Sequence, residues 1–411
     1  MSIKISKQTF LNKSKFNIHV ERQNSYKIFN LTMESKNHVM VPFAKGLEIV
    51  SSGQDVINQK KFPFNGELEN SQKEICDQLL TCLTEYKTAI ASCHMGFGKT
   101  VLALFLSSFL SGMGKVIITN GRKILLQQWM DAAKEFIPEA KIVWATSQTK
   151  PELISSAQVI IASFDTLTKH KFSNVGLFVV DELHTSMSPV TCFSLLHISP
   201  KAILGLSATP WKKDGFNEAI PWFFGKHKVS KSIVVSHNVY KVETKIVPIT
   251  VYKKGKLDWS TVISSLASSM YRNILIVNIV TSDLFKEKKW LIVSKRIHQV
   301  LELDRLFRER GIVPELLIED RITYDQDASV IIGTTGKIGI GFNNPNLNAL
   351  LMAADVVDYY EQYFGRVIRR PDAKPIVVDL VDAHSILVKH WNKRKEIYKT
   401  YGGTIKNLSI E

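Results

Sequence analysis

The chain has 411 residues and a formal net charge of +15, from 53 lysines and arginines against 38 aspartates and glutamates. That length points to two domains with an extension, and the charge suits a protein that meets polyanions, nucleic acid ahead of a membrane surface because no basic amphipathic anchor opens the chain. Cys76, Cys82, Cys93 and Cys192 have neither zinc-site spacing nor the framework of a disulfide scaffold, so they predict reduced thiols and no metal site.

Residues 1–61 are basic and irregular, with strand-like pieces at Ile18-His19-Val20 and His38–Pro42. They fit an N-terminal extension, an accessory domain or a cap on the first core domain. The first fifteen residues lack the apolar centre of a signal peptide, and no apolar run reaches the ~18 residues that span a bilayer. A soluble, intracellular protein without a membrane partner is expected.

From Phe62 the pattern becomes α/β. Apolar runs at Thr88–Ser92, Val116–Thr119, Ile142–Thr146, Val159–Ala162, Leu177–Asp181 and Ile203–Ser207 alternate with helix-length segments, as a parallel sheet requires. A polar passage with Lys253-Lys254-Gly255-Lys256 interrupts the series. A second series comes after it at Trp290–Val293, Val330–Ile332, Ala349–Met352 and Ile376–Leu380, with a helix expected over Val300–Arg310. The predicted organisation is two tandem α/β parallel-sheet domains, over residues 62–235 and 236–411.

The chemistry concentrates at strand ends. Cys93-His94-Met95-Gly96-Phe97-Gly98-Lys99-Thr100 lies between an apolar strand and an apolar helix, the setting of a phosphate-binding loop. Its glycines let backbone N–H groups turn onto a polyphosphate, Lys99 supplies a point charge, and the Thr100 hydroxyl suits magnesium. Cys93 stands where the eight-residue pattern has glycine, and a chance Gly-Lys-Thr would read alike, so the rest of the chain must decide. Asp181 and Glu182, in Asp181-Glu182-Leu183-His184, close another buried strand about 80 residues on. Asp181 can hold magnesium opposite Thr100, and Glu182 can take a proton from water attacking the γ-phosphate. Taken alone, the two acids would pass as solvated groups at a strand end.

Ser207-Ala208-Thr209-Pro210 ends another strand, in small hydroxyl side chains or simply in a turn. In Gln362-Tyr363-Phe364-Gly365-Arg366-Val367-Ile368-Arg369-Arg370, helical spacing puts Gln362, Arg366 and Arg369 on one face. Such arginines can reach a phosphate chain, and a solvated basic helix or a nucleic-acid patch has the same letters.

Together, Cys93–Thr100, Asp181–His184, Ser207–Thr209 and Gln362-x-x-Gly365-Arg366-x-x-Arg369 resemble motifs I, II, III and VI of the superfamily 2 helicases, in order and interval. Leu125-x-x-Gln128-Trp129 is similar to motif Ia, Ala162–Leu167 to motif Ib, and Thr334-Thr335-Gly336 to Asn343 to motif V. Ser207–Gly215 with the later Trp222-Phe223-Phe224-Gly225 resembles the branch holding the poxvirus transcript-release helicase, phage branch-migration helicases and the helicase of the general transcription and repair factor. A large DNA virus is a suggested source, which would place the protein in the host cytoplasm or nucleus, or in the virion.

The resemblance implies two RecA-like domains with ATP and Mg2+ between them and nucleic acid across both, DNA favoured over RNA, in transcription, repair or replication. It makes Lys99, Asp181, Glu182, Arg366 and Arg369 catalytic. Gln72 would read adenine, residues 93–100 and Gln362 would bind the nucleotide, and Thr100 and Asp181 would hold Mg2+. Arg122, Lys123, Thr166 and Thr334 would line the strand groove, and the basic run Lys389–Lys395 could extend it. Gly121-Arg122-Lys123 replaces the commoner Pro-Thr-Lys, and Asn343 replaces an acid common in motif V. The implied activity is an ATP-dependent helicase or translocase. Its rivals are an RNA helicase, the motor of a nuclease complex, and an ATP-latched assembly factor with little turnover.

Overall fold

The computed structural model describes residues 2–7, 16–22, 25–49, 60–94, 96–183, 187–207, 218–231, 234–318, 324–338, 342, 344–357, 360–368 and 374–409. Met95, His184, Ala208 to Gly215, Gly341, Asn343 and Arg369 lie outside them. The chain divides into two compact units, Met1–Lys231 and Ser232–Glu411.

The first unit is built on seven parallel strands, β1 (Thr88–Cys93), β2 (Lys115–Thr119), β3 (Ile142–Ala145), β4 (Val159–Ala162), β5 (Val175–Val180), β6 (Pro200–Ser207) and β7 (Lys228–Lys231). Their order across the sheet is β7-β1-β6-β5-β2-β4-β3. β5, Val-Gly-Leu-Phe-Val-Val, is buried at every position, because a parallel sheet carries cover on both faces and leaves no side for polar residues. One face packs against helices α1 (Asn70–Glu85), α2 (Lys99–Phe109) and α3 (Lys123–Phe136), through Leu79, Leu104 and Trp129 among others. On the other face Phe178 and Ile203 share a core with Ile18, Leu31 and Phe43. The N-terminal residues, which include a three-stranded antiparallel sheet of Ser2–Ser6, His38–Pro42 and Met33–Glu34, thus pack onto the first unit. Ser2 ties in directly, its hydroxyl donating to the Leu196 carbonyl at 2.7 Å.

The second unit repeats the architecture with β8 (His237–Glu243), β9 (Trp290–Ser294), β10 (Glu315–Leu317), β11 (Val330–Thr334), β12 (Ala349–Met352), β13 (Ile376–Val381) and β14 (Gly403–Asn407), in the order β10-β11-β9-β12-β13-β8-β14 and parallel throughout. The lysine-bearing passage forms a small antiparallel hairpin, Tyr252–Lys253 with Lys256–Leu257. The helix expected over Val300–Arg310 runs from Ile297 to Arg308. Among the described residues no single helix is long and apolar enough to cross a membrane.

Two basic stretches of the second unit are not uniform helix faces. Helix α5 spans Tyr360–Phe364 only; beyond it the Gly365 amide still reaches the Glu361 carbonyl four residues back, those of Arg366 and Val367 reach three back, to Tyr363 and Phe364, and that of Ile368 again reaches four back, to Phe364. The turn tightens at Gly365, so regular α spacing does not carry from Gln362 to Arg366. The basic run Lys389–Lys395 belongs to helix α6 (Ser385–Thr400) and is two-sided: Trp391 and Arg394 are buried while Lys389 and Lys393 are exposed. Arg394 spends its charge internally, its Nε and Nη2 donating to Asp379 at 2.7 and 2.8 Å and its Nη1 to Asp355 at 2.8 Å.

Candidate functional site

The carboxyl ends of the first unit's strands carry the chemistry. Across the sheet from β7 come Lys231, then Cys93 and its loop, Ser207, Asp181 after β5, Asn120 after β2, and Ser163 after β4. Parallel strands all end on one edge, which is why motifs scattered along the chain become neighbours there.

The loop after β1 is wound by Gly96 and Gly98, both at φ +80°. Gly98 is required twice over. Its conformation belongs to the left-handed region, and a Cβ on it would stand 2.4 Å from Gln72 Nε2. Gln72, buried at the start of α1, holds the loop: its Nε2 donates to the Phe97 carbonyl at 2.8 Å and its Oε1 accepts the Glu69 amide at 3.0 Å. The structure therefore brings Gln72 to the loop with its amide engaged by backbone. His94 sets its ring edge-on to Phe97 at 5.4 Å, and its amide donates to the Lys231 carbonyl at 3.1 Å. Lys99, first residue of α2, turns back to donate to the Cys93 and His94 carbonyls at 2.8 and 3.1 Å. Burial pushes the Cys93 thiol up, so it stays a neutral packing group. Thr100 comes next, on the first turn of α2.

Asp181 is aimed by three donors. Oδ2 accepts Trp129 Nε1 at 2.9 Å and Asn120 Nδ2 at 3.2 Å, and Oδ1 accepts the Glu182 amide at 2.9 Å. Desolvation, then the charge of Glu182, push its carboxyl up to about 6, against a downward pull from Trp129 and Lys99. A carboxylate held at such cost is one that a cation would relieve. Magnesium takes one or two protein oxygens and completes its shell with water and phosphate, and a carboxylate and a hydroxyl are donors of that kind. Thr100 and Asp181 suit that role. Glu182 sits at φ +48°, a left-handed conformation that costs a non-glycine residue of order 1 kcal/mol and recurs at functional sites.

The predicted strand contacts in this unit lie on the side of Asp181 away from the β1 loop. Arg122 caps α3 and Lys123 begins it, both exposed. Thr166 lies in the short helix α4 (Phe164–Leu167), mostly buried, its hydroxyl 3.0 Å from Ser163 Oγ. It is placed to position that turn rather than to reach outward. Phe164 packs beside Gly121, joining the two loops.

In the second unit Thr334 ends β11, opposite Ser294 of β9. Gln362 lies on α5. Arg366 is buried and donates from Nη1 to the Phe342 carbonyl, and the Tyr363 hydroxyl donates to the Thr335 carbonyl at 3.0 Å. The arginine segment is thus bound to the loop after β11. Sequence reasoning missed Asn120 altogether and gave Trp129 no task. A polar residue just past a buried strand, beside Arg122 and Lys123, was the available signal for the first.

Tandem seven-stranded parallel sheets, the first with a glycine-wound loop ending in Lys-Thr next to a paired acid, match the tandem RecA-like architecture expected of a superfamily 2 helicase. The comparisons agree. Residues 65–212 match the family described as "Type III restriction enzyme, res subunit". The chain is 33% identical over 385 residues to "Putative helicase 161L" of Invertebrate iridescent virus 6, covering 86% of each. It is 30% identical over 396 residues to "Putative helicase 055L" of Frog virus 3, covering 92% of this chain and 90% of that protein. Its fold is similar to that of S. cerevisiae Dbp5 bound to RNA and ADP BeF3, with a TM-score of 0.56, 15% identity, and 81% and 89% of the two chains covered. The chain belongs to the superfamily 2 helicases, in the group of these viral relatives, and is an ATP-dependent helicase.

Proposed function

We propose that the protein is a motor that hydrolyses ATP to travel along DNA, separating strands or displacing what is bound to them. The observation that carries this is the adjacency of the β1 loop, Ser207, Asp181 and the Arg122-Lys123 turn along one sheet edge. In this reading the loop amides and Lys99 bind the phosphates. Lys99 exchanges its loop carbonyls for the β- and γ-phosphates as the nucleotide enters. Magnesium, held by Thr100 and Asp181, supplies charge neutralisation along the phosphate chain. Glu182 orients the attacking water and accepts its proton, and Arg366 and Arg369 add positive charge at the γ-phosphate during turnover. Gln72 and Gln362 help seat the nucleotide.

Arg122, Lys123 and Thr334 are assigned to the strand, and Thr166, buried against Ser163, to shaping the turn beside it. Contacts to phosphates rather than bases make movement independent of sequence and sensitive to salt. The DNA preference rests on the motif resemblance, and RNA is the alternative track. The matched restriction family favours a second reading, the motor of a nuclease assembly, with cleavage left to a partner.

Strand displacement on matched DNA and RNA duplexes, each with single-stranded 5′ or 3′ tails, tests the proposal. ATP-dependent displacement of DNA is expected, lost in Lys99→Ala and Glu182→Gln. Displacement of RNA alone would overturn the DNA assignment.

A further inference from the structure

Two side chains outside the hydrolytic group converge on Asp181. Asn120 is 1% exposed and Trp129 2% exposed, and both donate to the same oxygen, Oδ2. Asn120 has a second engagement: its Oδ1 accepts the backbone amide of Arg122 at 2.9 Å. The pair of bonds fixes which way the amide lies, because the flipped group would set oxygen against carboxylate and N–H against N–H. One rigid plane therefore spans from the exposed Arg122-Lys123 turn to the carboxylate.

Trp129 offers a parallel route. It lies in the second turn of α3, whose first residue is Lys123, and its ring packs in the same core as Leu126 and Ala133 of that helix. A displacement of the helix start carries the indole N–H with it. Both donors on Oδ2 thus belong to the β2–α3 stretch that presents Arg122 and Lys123. Carboxylate torsions of Asp are soft when unheld, so these donors decide where the oxygen points.

We propose that Asn120 and Trp129 are positioning residues that couple nucleic acid at the Arg122-Lys123 turn to the orientation of Asp181, and so set how strongly nucleic acid accelerates ATP hydrolysis. This rests on the reading of Arg122 and Lys123 as strand contacts and of Asp181 as part of the hydrolytic site. A phosphate drawn to the start of α3 shifts the Arg122 amide, turns the Asn120 plane and moves Trp129, and Oδ2 moves with them. Both residues would otherwise serve only to satisfy a desolvated carboxylate, and the two roles separate experimentally.

The experiment uses the full chain with Asn120→Ala, the milder Asn120→Ser, and Trp129→Phe, which keeps an aromatic ring and removes the N–H. ATP hydrolysis is measured without nucleic acid and across a titration of single-stranded DNA, with affinity for the same labelled strand measured by fluorescence anisotropy. The ratio of maximal stimulated to unstimulated rate is expected to fall by about 5–150-fold, the span of ordinary coupling energies. The concentration giving half-stimulation and the strand affinity should stay within about threefold of wild type. Equal losses in both rates, with a lower melting temperature, would mean a structural role and overturn the proposal. So would variants stimulated as strongly as wild type. A wild-type protein that no nucleic acid stimulates would instead remove the reading on which the proposal rests.

Discussion

Asp181 concentrates the conflict between stability and function. Its carboxyl is raised from 3.8 to about 6 in the fold, so the ionised form is disfavoured there relative to the unfolded chain. The stability this group contributes is fully present below pH ~4 and is lost as pH rises through ~6. Two pH units correspond to about 3 kcal/mol at most. Asp181→Asn is therefore expected to raise the melting temperature of the metal-free protein at pH ~7.5 while abolishing ATP hydrolysis. Thermal melts from pH ~7.5 down to ~4 should show the gap narrowing; a gap independent of pH would contradict the assignment. The roles of Lys99, Asp181 and Glu182 could be proposed from sequence because each depends on a few adjacent residues and the strand before them. The partners of Asp181 could not be, since Trp129 and Asn120 stand 52 and 61 residues away, and only the sheet order makes them neighbours.

Elements were legible in proportion to their burial. β5 is apolar throughout, and a strand buried on both faces has no other composition open to it. β7 (Lys-Val-Ser-Lys) and β14 (Gly-Thr-Ile-Lys-Asn) lie at sheet edges with alternating exposure, and they do not stand out from loops. β10, three residues long, is an edge strand too. The tightening after α5 was illegible because the bonds decide it, and Gly365 is compatible with either course. Two substitutions test these elements. Gly98→Ala forces a side chain at φ +80° into Gln72; a loss of about 1–3 kcal/mol and weaker nucleotide binding are expected, measured by chemical unfolding and by titration with a fluorescent ATP analogue. Arg394→Met removes the guanidinium between Asp379 and Asp355 in the core of the second unit, leaving Asp379 the Tyr398 hydroxyl and Asp355 the His390 ring. Breaking a buried pair this way costs about 3–5 kcal/mol, read as a lower urea midpoint for that unit.

At the scale of the whole molecule, two parallel-sheet units of the same design succeed one another along the chain, and the groups assigned to hydrolysis are divided between them. Lys99, Asp181 and Glu182 belong to the first, Arg366 and Arg369 to the second. Arg366 donates to the Phe342 carbonyl, and Lys99 to the carbonyls of its own loop. The glycine-wound loop of the first unit, readable from eight residues, is one part of an apparatus spread over some 270.

The most direct measurement is the steady-state rate of ATP hydrolysis by the purified protein with magnesium, alone and with single- and double-stranded DNA and RNA. The account predicts hydrolysis that nucleic acid accelerates, DNA most strongly, and that Glu182→Gln abolishes. No hydrolysis with any of the four, or hydrolysis that persists undiminished in Glu182→Gln, would contradict it.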